Sequence, residues 1–344
     1  MTAPPLAVVV PAYNAADTIT GCVAALRGQR YDGPFEIIVV DDGSTDATAA
    51  LARAAGATVI TTSHGRASAA RNAGLRAAQG DIVCFTDADC APYSNWLHEV
   101  STPLADPLVV GCKGTYATRQ RALVARFVQL EYEDKYDRLR PQTTIDFIDT
   151  YSCAYRRAVL LANGGFDERI QFVEDQELSF RLAAQGCRMV FQETAVVEHR
   201  HSATWRAYLR KKANIGYWKM QIVRRHPDRA LRDSHTPQIM KAQMALAALV
   251  LAGLGAGLVA ALAGPALGWV AAAWLLAAAG AAALAFLITT LPFVGKAWSK
   301  DRAVAVAAPA LLFGRAVALG WGTLRGLLFP QPGLGGTPEE LVKG

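Results

Sequence analysis

The sequence predicts an α/β chain: a doubly wound, mostly parallel sheet in its N-terminal two thirds, then apolar helices long enough to enter a membrane. Three observations carry this. From Leu6 to Asp89, short apolar runs alternate with helix-periodic stretches across short loops. The second and fourth runs end in clustered carboxylates, Asp41-Asp42 and Asp87-Ala88-Asp89. Hydrophobic residues make up 52% of the 344, and the excess lies after Met240, where Ala, Leu, Gly and Val dominate.

Residues 6–10 are continuously apolar and are stopped by Pro11, as expected of a strand covered on both faces. Residues 17–28 set Ile19, Val23, Ala24 and Leu26 at helical spacing, with Asp17 or Thr18 as N-cap. Strands over 35–40, 57–61 and 82–86 follow, separated by helices over 46–55 and 67–78 that are closed by Gly56 and Gly80. Right-handed crossovers in this order bring the carboxylates after strands two and four to one sheet edge, where open α/β sheets bind ligands. Beyond Asp89 the alternation turns irregular. A strand over 109–115, helices over 122–138 and 155–162, a helix opened by Glu174-Asp175-Gln176-Glu177 and running to Ala184, and a strand over 188–191 are expected.

From 204 to 225 aromatic and basic residues interleave: Trp205, Arg206, Tyr208, Arg210, Lys211, Lys212, Tyr217, Trp218 and Lys219. This pattern suits an amphipathic helix lying in the lipid headgroup layer, or a solvated surface helix. Residues 242–263 and 266–291 each match the length of a membrane span, with Gly264 and Pro265 at the turn. A third segment, 303–329, carries Arg315 and Arg325. A charge at mid-membrane is costly, so this segment either spans with Arg315 facing a protein cavity or is re-entrant or interfacial. Arg224, Arg225, Arg229, Arg232 and Lys241 flank the first span, and a loop over 292–302 carries Lys296, Lys300 and Arg302. This positive flank orients the soluble part toward the cytoplasmic face of the inner (plasma) membrane, and accounts for the net charge of +6 without nucleic acid. The expected units are residues 1–203, an interface helix and basic linker 204–240, a membrane domain 241–330 and a tail 331–344. The six cysteines form no CxxC pair, which argues against a zinc site or disulfide framework and for a reducing compartment. Residues 1–5 do not begin a secretory signal.

The chemistry lies in four acidic groups: Asp41-Asp42, Asp87 with Asp89, Asp167-Glu168 and Glu174-Asp175. Closely spaced carboxylates call for a cation, and hard oxygen ligands suit Mg²⁺ or Mn²⁺. Arg71 and Asn72 fall near the start of the third helix. The Gly43-Ser44-Thr45 turn matches neither a dinucleotide fingerprint nor a P-loop.

Taken in order, Val9-Val10-Pro11-Ala12-Tyr13-Asn14, Val40-Asp41-Asp42-Gly43-Ser44-Thr45-Asp46, Ala70-Arg71-Asn72-Ala73-Gly74, Asp87-Ala88-Asp89, Gly164-Gly165-Phe166-Asp167-Glu168 and Glu174-Asp175 resemble the motifs of family 2 glycosyltransferases with the GT-A fold. The resemblance covers roughly residues 6–205. It implies that Asp41 and Asp42 hold the uracil or guanine and ribose of a UDP- or GDP-sugar, in a pocket lined by Pro11, Ala12 and Tyr13 and completed by Arg71. It implies further that Asp87 faces ribose and metal, that Asp89 ligates the Mg²⁺ or Mn²⁺, and that Asp175, beside Glu174, is the general base of an inverting transfer. His199 and His201 reach back to the metal or diphosphate in this reading, or are ordinary buried or surface histidines. Asp167 and Glu168 contact the acceptor, or serve the turn.

The QxxRW element of processive relatives is absent; the corresponding stretch reads Ser202-Ala203-Thr204-Trp205-Arg206. A catalytic domain, a basic aromatic helix and about three membrane segments most resemble bacterial exopolysaccharide transferases of the succinoglycan type. The implied acceptor is lipid-linked, a polyprenyl diphosphate-linked saccharide. The alternatives are polyprenyl phosphate itself, as for dolichol-phosphate mannose synthases, and a catalytically inactive nucleotide-sugar-binding scaffold.

Overall fold

The computed structural model describes residues 3–227, 236–262, 267–332 and 334. β1 (Leu6–Ala12), β2 (Phe35–Asp41), β3 (Thr58–Thr61) and β4 (Ile82–Thr86) alternate with α1 (Ile19–Arg27), α2 (Thr48–Ala54) and α3 (Ala67–Ala77), as the sequence predicts. The four strands pair in parallel, with Val9 opposite Ile38 of β2 on one side and Phe85 of β4 on the other. Helices cover both faces, so Val8, Val9, Val10, Val39 and Val40 expose no surface. Thr18 precedes α1, but its hydroxyl donates to the Ala15 carbonyl and does not cap a helix amide.

The second half adds β5 (Cys90–Pro92), α4 (Trp96–Ser101), β6 (Val109–Ala117), α5 (Leu123–Leu139), β7 (Ser152–Arg156), α6 (Arg157–Ala162), α7 (Glu174–Ala184) and β8 (Arg188–His199). The sheet order among the described residues is β3-β2-β1-β4-β7-β6-β8-β5. Parallel pairing gives way at β7, which runs antiparallel to both β4 and β6, so the sheet is mixed beyond its first four strands. The helix expected from Tyr155 begins at Arg157. Tyr155 belongs to β7 because its ring packs over Gly111 of β6, where a Cβ would come within 2.8 Å of it. The strand expected over 188–191 runs on to His199. Polar Gln192, Glu193 and Thr194 mask its second half in the sequence, and they fall where the β6–β8 register breaks between Lys113 opposite Phe191 and Thr115 opposite Val196.

α8 (Trp205–Arg225), α9 (Gln238–Leu262), α10 (Leu267–Lys300) and α11 (Arg302–Leu328) follow. The last three are long and apolar enough to cross a membrane. Arg229 and Arg232, the turn at Gly264 and Pro265, and residues 333 and 335–344 of the expected tail lie outside the described residues. The loop expected over 292–302 is almost entirely helix, since α10 continues through Pro292 to Lys300. This extension packs on α5: the Phe293 ring lies 5.5 Å from that of Phe127, Lys296 pairs with Asp137, Lys300 with Glu133, and Asp301 with Arg126 at 2.6 Å. Those contacts hold the segment helical despite its proline.

Arg315 does not face lipid. It donates to Glu131 of α5 at 2.8 Å and to Gln243 of α9 at 2.6 Å, while Lys212 and the Tyr208 hydroxyl of α8 hold the same Glu131. One carboxylate thus ties α5, α8 and α11 together, with Arg315 carrying the link on to α9. Glu131→Leu leaves two cations facing each other without a counter-charge. It is expected to destabilise the protein by roughly 3–5 kcal/mol, read from thermal unfolding in detergent, and Glu131→Leu combined with Arg315→Met recovers most of that loss.

Candidate active site

The carboxylates converge because β2 and β4 end at the same sheet edge and α7 starts above it. Arg71 of α3 sits at the junction. It is buried, donates to Asp87 at 2.9 Å, and pairs with Glu174 at 2.5 Å. Its guanidinium carbon lies 5.8 Å from the Phe166 ring centre. One side chain therefore joins the end of β4 to the start of α7. Val173, just before α7, is held at φ 61°, a left-handed conformation strained for a β-branched residue, and it turns Glu174 and Asp175 into the site.

Asp175 accepts from the Gln176 amide at 2.8 Å. Burial pushes its carboxyl above the usual range, opposed by Arg71, Lys113 and Lys135. Burial likewise raises the Glu174 carboxyl, opposed first by Arg71. Lys113 and Lys135 share Asp149, with Lys135 at 3.1 Å, and both ammonium groups lie over the Phe147 ring. Burial pulls Lys113 down to about 7 and Lys135 well below its usual value. Sequence reasoning missed this pair. The signal was a lysine amid the apolar residues of β6, which a sheet interior tolerates only when it is matched.

The Asp41-Asp42 pair is buried. Asp41 accepts from the Ser44 amide, while Asp42 accepts from the amides of Gly65 at 2.8 Å and Arg66 at 2.9 Å and so shapes the loop after β3. Tyr13 is half exposed and lies against His64, with ring centres 4.2 Å apart and planes tilted by 33°, beside Pro11 and Ala12 at the end of β1. His64 was not read from the sequence, because only the fold brings the β3–α3 loop alongside β1.

Asp167 and Glu168 do not line the central cavity. Asp167 is 1% exposed and is held by Arg169 and by Arg225 of α8 at 2.6 Å. Asn72 donates to Glu168 at 2.9 Å and brackets the Phe166 backbone with two bonds of 2.8 Å. Gly165, at φ 66°, lies against that amide. This turn fastens α8 to the sheet domain. The cavity itself, of about 570 Å³, is lined both by Arg71, Asp87, Glu174 and Asp175 and by Met240, Gln243, Phe293, Leu312 and Leu319 of the apolar helices. Lys135, Lys211, Lys212 and Arg315 lie on its wall.

Residues 7–162 match the family model for glycosyl transferase family 2. The chain carries a family 2 glycosyltransferase domain. It is 30% identical over 261 residues to a pre-mycofactocin glycosyltransferase of Mycobacterium tuberculosis, covering 73% of this chain and 53% of that one. It is 37% identical over 109 residues to the glycosyltransferase AglE of Haloferax volcanii, covering 29% and 36%. The chain thus spans about half the length of the mycobacterial relative. A mannosyltransferase of Pyrobaculum calidifontis, solved with GDP-Man and Mn²⁺, superposes with a TM-score of 0.60 over 95% of this chain and 88% of that one, at 21% identity. That likeness establishes the GT-A fold and extends over the C-terminal helices.

In the glycosyltransferase domain, pairing of β5 with β8 sets Cys90 opposite His199 and so carries His199 Nε2 to 3.5 Å from the Asp89 carboxylate. His201 lies behind it. Its Nδ1 is 3.0 Å from His199 Nδ1, and its Nε2 is 2.9 Å from Gln129 Oε1. The Gln129 amide nitrogen donates to the Tyr116 carbonyl, so its oxygen must accept. The proton then lies on His201 Nε2, His199 donates through Nδ1, and the His199 Nε2 lone pair faces Asp89. Burial lowers His199 to about 4 and His201 to about 3, keeping both imidazoles neutral. Asp89 and His199 fit a divalent cation; the neighbouring Cys90 thiol, held protonated by burial, suits a hard ion poorly. Of the two histidines only His199 faces Asp89. His199→Ala should weaken Mn²⁺ binding more than tenfold, followed by the paramagnetic signal of free Mn²⁺, and Gln129→Leu by roughly ten- to a hundredfold. Unchanged affinity in His199→Ala would remove it from the ligand set.

Proposed function

We propose that the chain is a membrane-anchored, metal-dependent, inverting glycosyltransferase. It moves one sugar from a UDP- or GDP-sugar to a lipid-linked acceptor at the cytoplasmic face of the inner membrane, in polysaccharide or glycolipid synthesis. One observation carries the acceptor class: a single cavity joins Asp175 to the apolar helices, so an amphiphile fits with its reactive end at the acids and its tail toward lipid. The divalent ion and GDP-Man of the Pyrobaculum neighbour support the donor class.

In this mechanism the Tyr13–His64 shelf stacks the base, Asp41 accepts from base or ribose, and Asp87 accepts from the ribose while Arg71 holds it in place. Asp89 and His199 would hold a divalent ion, which when bound would offer positive charge to the departing nucleoside diphosphate. Asp175 takes the acceptor hydroxyl proton as that oxygen bonds to the anomeric carbon and the bond to the diphosphate breaks, inverting the centre. The base works only when ionised. Because burial raises its pKa, turnover falls on acidification at a pH above the ordinary carboxylate range, and Lys113→Met, which removes a nearby positive charge, moves that limb higher still.

A second reading draws on Lys113 and Lys135, two amines on one carboxylate beside Asp175, whose positive charge burial disfavours and a bound anion would restore. They favour an acceptor that brings its own negative charge, polyprenyl phosphate itself. The test is nucleoside diphosphate release from a panel of UDP- and GDP-sugars with Mn²⁺. Asp175→Asn should abolish turnover on a hydroxyl acceptor while still binding donor. If Asp175→Asn retains turnover on bare polyprenyl phosphate, whose attacking oxygen is already ionised, the second reading replaces the first.

A further inference from the structure

α8 and α11 run side by side in the same direction. Trp205 packs on Gly314, Ala213 on Gly322 and Tyr217 on Gly326, with the same offset at each contact. A Cβ at Gly322 would overlap the Ala213 carbonyl, and one at Gly326 would come within 2.7 Å of the Tyr217 carbonyl oxygen. The two backbones therefore touch along about two turns of α11, the Trp205 ring continues the contact to Gly314, and wherever α8 lies, α11 lies too.

α8 cannot enter hydrocarbon. It carries Arg206, Arg210, Lys211, Lys212, Lys219 and Arg225, each costing a few kcal/mol there. It is also docked along its length on the sheet domain, through Tyr208 on Glu131, Trp218 and Ile222 against Ile170 and Phe180, and Arg225 on Asp167. α11 repeats the pattern. Asp301 at its start pairs with Arg126, Arg315 at its middle with Glu131, and Phe329 at its end accepts from the Tyr217 hydroxyl. A helix of 27 residues leaving the domain would end about 40 Å away. This one is held to the domain or to α8 at both ends.

Another face of α11 shows Val306, Trp321, Leu324 and Leu328 at helical spacing, all exposed, while Phe313 within the same stripe packs on Phe286 of α10, with ring centres 5.2 Å apart. Protein buries 44% of its most apolar window, against 17% in α9 and α10.

We infer that α11 lies in the plane of the membrane surface, its apolar stripe on the acyl boundary and its glycine stripe on α8, and that only α9 and α10 cross the bilayer. The partner of the exposed stripe is lipid, since the surface continues into two helices of spanning length. The chain after α11 then stays on the same side as the sheet domain, whereas a third crossing would put it on the opposite side.

Epitope tags before residue 1 and after Gly344, probed with protease in sealed vesicles of both orientations, test this without altering the fold. Both tags should be cut, or protected, together. Opposite accessibility would overturn the inference. A nitroxide at Leu324→Cys gives an independent reading: high collision with a water-soluble nickel chelate and intermediate collision with oxygen place it at the surface, while the oxygen-rich, chelate-free signature of the bilayer centre would overturn it. Neither measurement depends on catalysis, so each stands apart from the proposed function.

Discussion

Much of the site depends on one buried guanidinium. Arg71 binds Asp87 at the end of β4 and Glu174 at the start of α7. These elements are far apart in sequence and would repel one another if brought together without it. With Arg71 in place, Asp87 and Glu174 share one cation with Asp175 nearby, which leaves this end of the cavity short of positive charge. Farther along, Lys212 with Arg315 on Glu131 has the opposite imbalance. Charge is therefore separated along the cavity, acid in excess at the sheet edge and base in excess toward the apolar helices.

The two halves of the site are built with different rigidity. Asp89 and His199 come from neighbouring positions of a strand pair, and a further chain of hydrogen bonds through His201 ends on Gln129 of a long helix. Asp175 follows a strained Val173, and its carboxylate takes a single hydrogen bond from the amide beside it. The Asp89–His199 pair thus inherits its geometry from the sheet, and Asp175 inherits its geometry from a loop conformation held by Arg71.

The parallel β1–β4 half was legible because its strands are uninterrupted apolar runs bounded by glycines and acids, and Asp41-Asp42 and Asp87 with Asp89 followed from two of those strand ends. β7 was not legible, since Tyr155 reads as a helix start until Gly111 opposite it makes room for the ring. The second half of β8 was hidden because Gln192, Glu193 and Thr194 occupy a bulge. The roles of His199 and His201 could not be separated in sequence. Their division depends on the β5–β8 register and on Gln129, which is far from both along the chain. Arg315 looked like a flaw in a span because its counter-charge, Glu131, lies on a helix of the other domain.

The extension of α10 beyond Pro292 acts as a fixed spacer. Its last nine or so residues rise about 13 Å, and they are ion-paired to α5 rather than free to bend. The sheet domain and the helices of spanning length are therefore joined here by a strut rather than a hinge, which fixes the distance from the acids at the sheet edge to the apolar surface of α10.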